Sequence, residues 1–214
     1  MKDALAELTR SLHSECPDID GVAELVSANE EAIKQIIDGL TFTLDTYRYN
    51  CNNILLKVVQ NDPGAVYPYW KHLVDLLESS NTYHRCSAIN VLPYLIPVDG
   101  GKSFERIFDD YFAHLDDASV IPPCYIARNC PIIASCLPKT IQKIVDRLLA
   151  IGDTHHRPDR KDLIKADIIL ALDKMYGRTD KKAEVRRFVE EQLHCSSPKT
   201  RRAAKMFLEK HGDS

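Results

Sequence analysis

Apolar residues recur along this chain with the spacing of one face of an α-helix. Ile33, Ile37 and Leu40, for example, are three or four positions apart, which places them on one side of a helix. The segments with such spacing are 33–40, 51–58, 66–77, 88–92, 107–115, 141–148, 168–172 and 203–208. The pattern therefore predicts an all-α fold.

The predicted helices repeat with a period of about 37 residues. The last apolar residue of every second helix falls at intervals of 37, 38, 36 and 42 residues, at Leu40, Leu77, Leu115, Ile151 and Leu193. A basic residue near the start of the intervening helices falls at intervals of 37, 43, 37 and 37, at Arg48, Arg85, Arg128, Lys165 and Arg202, a set we call the basic column. A helical hairpin with two apolar faces cannot bury both alone, so neighbouring hairpins are expected to stack.

The repeats predict one continuous domain. Residues 1–28 are interpreted as N-terminal capping helices and residues 29–214 as the repeat array. Helix starts are indicated by a capping-box spacing in Ser27-Ala-Asn-Glu30 and by Pro198 after two serines. The longer turns 116–123 and 152–160 both join a first helix to a second helix, which fits either a binding edge or neutral loop growth.

Two segments carry a resemblance to a known family. They are Glu78-Ser-Ser-Asn-Thr-Tyr-His-Arg85-Cys-Ser-Ala88-Ile-Asn-Val-Leu92 and Ser196-Ser-Pro-Lys-Thr-Arg-Arg202-Ala-Ala-Lys-Met-Phe-Leu208. Both resemble the HEAT pattern of a short turn, an arginine, and then small and aliphatic residues, and residues 30–211 are similar to a HEAT/Armadillo-type helical repeat protein.

The resemblance implies a right-handed α-solenoid of about five HEAT-like helical hairpins. The aspartate that usually precedes the arginine by six residues is replaced by Ser79 or Ser196, and only Asp159 before Lys165 keeps it. In the last repeat, Arg201 and Arg202 both fit the pattern. HEAT-like proteins include scaffolds, transport receptors and DNA-repair enzymes, so the resemblance concerns the fold more than the ligand.

Charge is distributed unevenly. Residues 1–138 carry 10 Lys/Arg and 19 Asp/Glu, a net charge of −9. Residues 139–214 carry 18 Lys/Arg and 12 Asp/Glu, a net charge of +6. This asymmetry fits an anionic partner at the basic end, head-to-tail self-association, or only a solvated surface. Seven cysteines without a CxxC pair favour a reducing, cytoplasmic location, and the longest apolar stretch is far shorter than the roughly 20 residues of a membrane span.

Aromatic residues accompany the basic column. Such a column could follow an acidic peptide or a phosphate backbone, or each side chain could hydrogen-bond the preceding turn and act within the stack. Tyrosine and arginine are enriched in binding hot spots. The candidate residues for binding a protein partner are Tyr47, Arg48, Tyr83, Arg85, Tyr125, Arg128 and Lys165, with His155 and His156 at the edge.

No metal, cofactor or catalytic set is predicted. Asp153, His155, His156 and Asp159 are metal-capable, but adjacent histidines point apart and no fourth ligand at a fixed spacing is visible. Cys124, Cys130 and Cys136 are six residues apart and would point in different directions on a helix. The four polar residues are interpreted as a plain loop and the cysteines as small core residues.

The sequence thus predicts a non-enzymatic protein-interaction module or scaffold. The alternative is a nucleic-acid-binding protein, or a HEAT-like alkylpurine DNA glycosylase, that uses the basic C-terminal repeats. Those glycosylases hold a damaged nucleotide with tryptophan and an acidic residue, to which Trp70 and Asp75 would correspond. The spacing of these two residues does not clearly place them on one face, and the pI of about 6.2 disfavours nucleic acid.

Overall fold

The computed structural model describes residues 2–100 and 102–212, and every regular element in these ranges is helical. The prediction of an all-α chain is confirmed. The α-helices are α1 (Lys2–Leu12), α2 (Ile19–Val26), α3 (Glu30–Gly39), α4 (Asp45–Asn61), α5 (Pro63–Val66), α6 (Trp70–Asp75), α7 (Thr82–Leu95), α8 (Ser103–Arg106), α9 (Phe108–Ala113), α10 (Ile121–Cys136), α11 (Ile141–Leu149), α12 (Pro158–Met175), α13 (Lys182–Glu190) and α14 (Pro198–His211). Short 3₁₀ turns extend several of them.

The helices form two compact units, which divide between Arg106 and Ile107. In the first unit, α3 and α6 pack against the helices that follow them, α4 and α7, and α4 also packs against α7. In the second unit, α11 and α13 pack against α12 and α14, while α12 packs against both α10 and α14. The contacts between second helices follow from the apolar faces that the sequence pattern assigned to them.

The core of each unit is aliphatic and aromatic. In the first unit, Ile36 on α3 and Ile54 on α4 are fully buried, as are Leu55 and Leu92. In the second unit, the fully buried residues include Ile126, Ile144, Ile168 and Val185. Burial of each such side chain stabilises the fold by about 1.5–3 kcal/mol.

Side-chain hydrogen bonds join residues that are about one sequence period apart. The Asn50 amide donates to the Leu12 carbonyl oxygen at 3.2 Å, 38 positions away. In the second unit the Asp116 carboxylate accepts from the backbone of His155, 39 positions away, at 2.7 Å. Equivalent positions of successive hairpins therefore lie side by side within each unit.

The start of α3 differs from the capping box that was predicted. Asn29 is the N-cap, and its side chain accepts a hydrogen bond from Ala32 N at 3.2 Å. Ser27 instead ends α2, with its hydroxyl donating to the Glu24 carbonyl at 3.0 Å. At α14 the prediction agrees with the structure, since Ser197 is the N-cap and Pro198 is the first helical residue.

Candidate partner-binding surface

Three arginines at the starts of second helices make the same bond. Each guanidinium donates to the carbonyl oxygen six residues earlier, just after the first helix of its hairpin has ended. These bonds are Arg48 Nη1 to Phe42 O at 2.9 Å, Arg85 Nη1 to Ser79 O at 2.7 Å, and Arg201 Nη1 to Cys195 O at 2.7 Å. We call them the turn ties, because each one closes the turn between two helices.

The turn ties also decide which arginine is equivalent in the last hairpin. Arg201 makes the recurrent bond to a turn carbonyl. Arg202, the residue that the basic column included, is exposed. Lys165 has a different partner and donates to Asp162 Oδ1, three residues earlier, at 3.3 Å. Much of the basic column is therefore engaged within its own hairpin.

Arg128 has a different partner. Its Nη2 donates at 3.0 Å to Asp167, a buried residue of α12, and Lys199 Nζ on α14 lies 3.0 Å from the other oxygen of the same carboxylate. Burial by itself would raise the pKa of Asp167, but the hydrogen bonds and charges of Arg128 and Lys199 outweigh it and hold the pKa below its usual value. Asp167 thus joins three second helices, α10, α12 and α14.

In the first unit, the predicted binding residues differ in accessibility. Tyr47 is buried, with its ring centroid 4.7 Å from that of Phe42 and 5.0 Å from that of His13. Arg48 is buried as well, and its guanidinium lies 4.9 Å from the ring centroid of Tyr83. Tyr83 is 58% exposed, so it offers a partner the surface that Tyr47 and Arg48 do not.

Sequence reasoning missed two exposed apolar residues in the turn that Arg48 closes. Phe42 is 49% exposed and Leu44 is 48% exposed, and both lie in the turn between α3 and α4. Tyr49 on α4 is 67% exposed, and Tyr83 on α7 lies against the Arg48 guanidinium, which also binds Phe42 O. We call these four exposed residues, Phe42, Leu44, Tyr49 and Tyr83, the aromatic edge. Large apolar side chains in a turn, where no helical period applies, are the signal that could have identified Phe42 and Leu44.

A groove lies beside the aromatic edge and shares Phe42 with it. Its volume is about 370 Å³, and its lining includes Glu31, Phe42, Tyr47 and the ion pair of Lys34 with Asp38. The residues of this unit, 1–106, comprise nine Lys/Arg and fifteen Asp/Glu, a net charge of −6. The groove therefore combines an aromatic wall with two carboxylates, one of which is paired with Lys34, in an acidic unit.

In the second unit, the predicted residues lie at two places. Tyr125 is half-buried, with the Arg128 guanidinium 5.5 Å from its ring centroid, and Lys165 is half-buried at the start of α12. The exposed His155 and the buried His156 belong to the turn before α12. Their rings lie against each other, with centroids 4.4 Å apart.

The two histidines meet Asp116, which belongs to the preceding hairpin. Asp116 Oδ1 lies 2.6 Å from His155 Nδ1, and one ligand atom each of Asp116, His155 and His156 lies within 4.8 Å of the others. Asp153 and Asp159, which sequence reasoning grouped with the histidines, are not members of this cluster, and Asp159 pairs with Arg157 at 3.0 Å. The distance of 39 residues between Asp116 and His155 hid the relationship.

Trp70 and Asp75, the pair considered for nucleotide binding, have separate surroundings. The Trp70 ring is half-buried, with its centroid 6.0 Å from that of Tyr67 and 6.5 Å from that of Phe104. Asp75 is exposed and pairs with Lys71 at 2.8 Å. The half-buried Trp70 ring thus packs against Tyr67 and Phe104, whereas Asp75 pairs on the surface.

Comparisons with known proteins add little to this geometry. No protein-family model matches the chain, and no curated protein matches it. The solved structures that are similar include an engineered protein, which is 16% identical over 99% of this chain and 98% of its own, with a TM-score of 0.48. Among the described residues, no helix has the length and apolar character that crossing a bilayer requires.

Proposed function

We propose that this chain is a non-enzymatic, HEAT-like interaction module, a right-handed α-solenoid of about five hairpins that acts as a cytoplasmic scaffold. Side-chain bonds between positions 38 and 39 residues apart support the repeat architecture. The turn ties support it as well, because one bond recurs at the start of α4, α7 and α14.

The aromatic edge is the observation that carries the proposed binding function. Its four members, Phe42, Leu44, Tyr49 and Tyr83, are each between 48% and 67% exposed. Single exposed apolar residues are ordinary on protein surfaces, whereas several on neighbouring turns are typical of a contact site. Tyrosine and phenylalanine supply large contact areas at a small cost in side-chain entropy.

The proposed partner is based on the chemistry of the groove. Glu31 lines it beside Phe42, together with Asp38, which pairs with Lys34, in a unit with a net charge of −6. A protein segment that offers an apolar side chain to the aromatic edge and a lysine or arginine to the groove would match both features. We therefore propose a basic, apolar segment of a protein partner as the occupant.

The nucleic-acid alternative has less support. Lys199 is paired with Asp167, and Lys210 is paired with Asp173 at 2.9 Å, so two cations of the basic C-terminal helix already have carboxylate partners. A phosphate backbone needs a surface of available positive charge. Arg202 and Lys205 remain exposed on α14, so DNA retention at low salt is the measurement that would revive this alternative.

The test is a comparison of two double variants in quantitative capture of partners from cell lysate. Phe42→Ala with Tyr83→Ala removes the two members of the aromatic edge that Arg48 contacts, and Leu163→Ala with Met206→Ala removes exposed apolar groups, at 43% and 55%, from the second unit. The proposal expects a specific protein to be lost with the first variant, retained with the second, and released by moderate salt. Equal capture by both variants, at unchanged melting temperatures, would remove the aromatic edge as the binding surface.

A further inference from the structure

We propose that Asp116, His155 and His156 form a Zn²⁺-binding site that clasps two neighbouring turns of the second unit. Asp116 ends the 3₁₀ turn after α9, and the histidines lie in the turn before α12. One ligand atom from each residue lies within 4.8 Å of the other two. Two imidazoles and one carboxylate are a donor set that suits Zn²⁺ and leaves one tetrahedral position for water.

His156 supplies an independent observation. The residue is only 6% exposed, and its Nε2 is a buried nitrogen with no hydrogen-bond partner in the described part of the chain. The backbone of Leu115 hydrogen-bonds the ring, and we assign that bond and the ring proton to Nδ1, because Nε2 has no such bond. Nε2 then carries a lone pair that is shielded from water, and buried polar atoms of this kind usually have a partner.

The contacts between the two turns shift the pKa of two of the three groups. Hydrogen bonds from the backbone and side chain of His155 hold the pKa of Asp116 below its usual value, despite a smaller opposing effect of burial. Burial, followed by the charge of His155, lowers the pKa of His156.

Modest movement would complete the site. Tetrahedral Zn²⁺ with bonds near 2.0–2.1 Å separates its ligand atoms by about 3.3 Å. Asp116 Oδ1 and His155 Nδ1 are now 2.6 Å apart, and zinc bound to both atoms would replace their hydrogen bond. Both side chains are about half exposed, at 53% and 54%, so they have room to rotate.

The surroundings include one opposing charge. Lys161 contributes to the low pKa of His156, but its Nζ donates to the Gly152 carbonyl at 2.6 Å. On the other turn, His114 Nδ1 lies 3.3 Å from Asp117 Oδ2. The ligand set itself carries the single negative charge of Asp116, which suits moderate affinity for a divalent ion.

The experiment titrates Zn²⁺ against a chromophoric chelator, with untagged protein that carries Cys16→Ser to remove the exposed thiol. We expect one equivalent to bind and the melting temperature to rise with zinc. His156→Gln and Asp116→Asn should each weaken binding by at least about tenfold, since each removes one of three ligands. The control His194→Gln changes an exposed histidine outside the cluster and should bind zinc as the parent does.

Cobalt identifies the donor atoms. The Co²⁺ form should show ligand-field bands without the thiolate charge-transfer band that cysteine ligands produce. Absence of one-equivalent binding, a thiolate band, or full affinity in Asp116→Asn would overturn the proposal. Asp116→Asn keeps the side-chain shape, so it remains informative even if His156→Gln fails to fold.

Discussion

The Asp167 carboxylate accepts a hydrogen bond from Arg128 at 3.0 Å, 39 positions away along the chain. Lys199 occupies its other oxygen, also at 3.0 Å. Asp167 is 4% exposed, so both cations compensate a charge that has been taken out of water. The second helices of this unit are therefore linked through one carboxylate as well as through their apolar faces.

Replacement of Asp167 should weaken the second unit. Asp167→Asn removes the charge that Arg128 and Lys199 both bind, and we expect the free energy of unfolding to fall by about 1–3 kcal/mol. Urea denaturation monitored by circular dichroism measures this change. Asp109→Asn is the matched control, because Asp109 also binds two cations, Lys143 at 2.8 Å and Arg147 at 2.7 Å, but is exposed. An exposed ion pair contributes little to stability. An equal loss of unfolding free energy in both variants would therefore contradict the view that burial makes the Asp167 pairs important.

Acid should remove the contribution of the Asp167 carboxylate to the free energy of unfolding. The pKa of Asp167 in the folded protein lies below its unfolded value of about 3.9. Its stabilising effect is therefore present above that value and is lost as pH falls through the folded pKa. The difference in unfolding free energy between the parent and Asp167→Asn should be constant from pH 7 to about pH 5 and shrink below about pH 4. A difference that stays constant to pH 2 would show that the carboxylate charge is not its source.

The turn ties predict unequal effects of adjacent arginines. Arg201→Ala breaks the bonds to the Cys195 and Ser196 carbonyls, at 2.7 and 3.0 Å, and should lower the free energy of unfolding by about 1–2 kcal/mol. Arg202→Ala changes an exposed residue and should stay within about 0.5 kcal/mol of the parent. Thermal melts of both variants would measure this, and a larger loss for Arg202→Ala would reverse the assignment.

Gly39 marks a close approach between α3 and α4. A β-carbon at this position would meet the Cys51 sulfur and would lie 2.8 Å from Tyr47 Cε1, and both side chains are buried. Gly39→Ala should therefore destabilise the first unit by about 1–3 kcal/mol, although alanine favours a helix. Gly152→Ala is the control, because nothing lies within 4 Å of its added β-carbon. A more stable Gly39→Ala protein would mean that the helices can separate without loss.

The helical content could be predicted from sequence because apolar spacing reports directly on local geometry. Ile33, Ile37 and Leu40 indicated α3 and its buried face in this way. Two relationships could not be predicted, since Asp167 and Asp116 find their partners 32 to 39 positions away through the stacking of hairpins. The division between Arg106 and Ile107 was not foreseen either, because the repeat pattern continues through it.

The basic column shows why a recurrent residue does not reveal its role. The sequence left open whether Arg48 and Arg85 face a partner or the preceding turn. Their guanidinium groups donate to turn carbonyls in the structure, while Arg128 reaches a neighbouring hairpin. Which acceptor each arginine binds depends on the conformation of its side chain and of the nearby turn. The sequence spacing of the arginines does not determine either conformation.

The turn ties also affect how such a chain can change in evolution. Their acceptors are the main-chain oxygens of Phe42, Ser79 and Cys195, three residues with no chemical property in common. Any amino acid supplies that oxygen, so selection can alter the acceptor positions freely and keep the arginine. Neutral substitutions should therefore change the amino acids of the turn long before they change its conformation. New surface chemistry can arise at these turns at little cost to the stability of the fold.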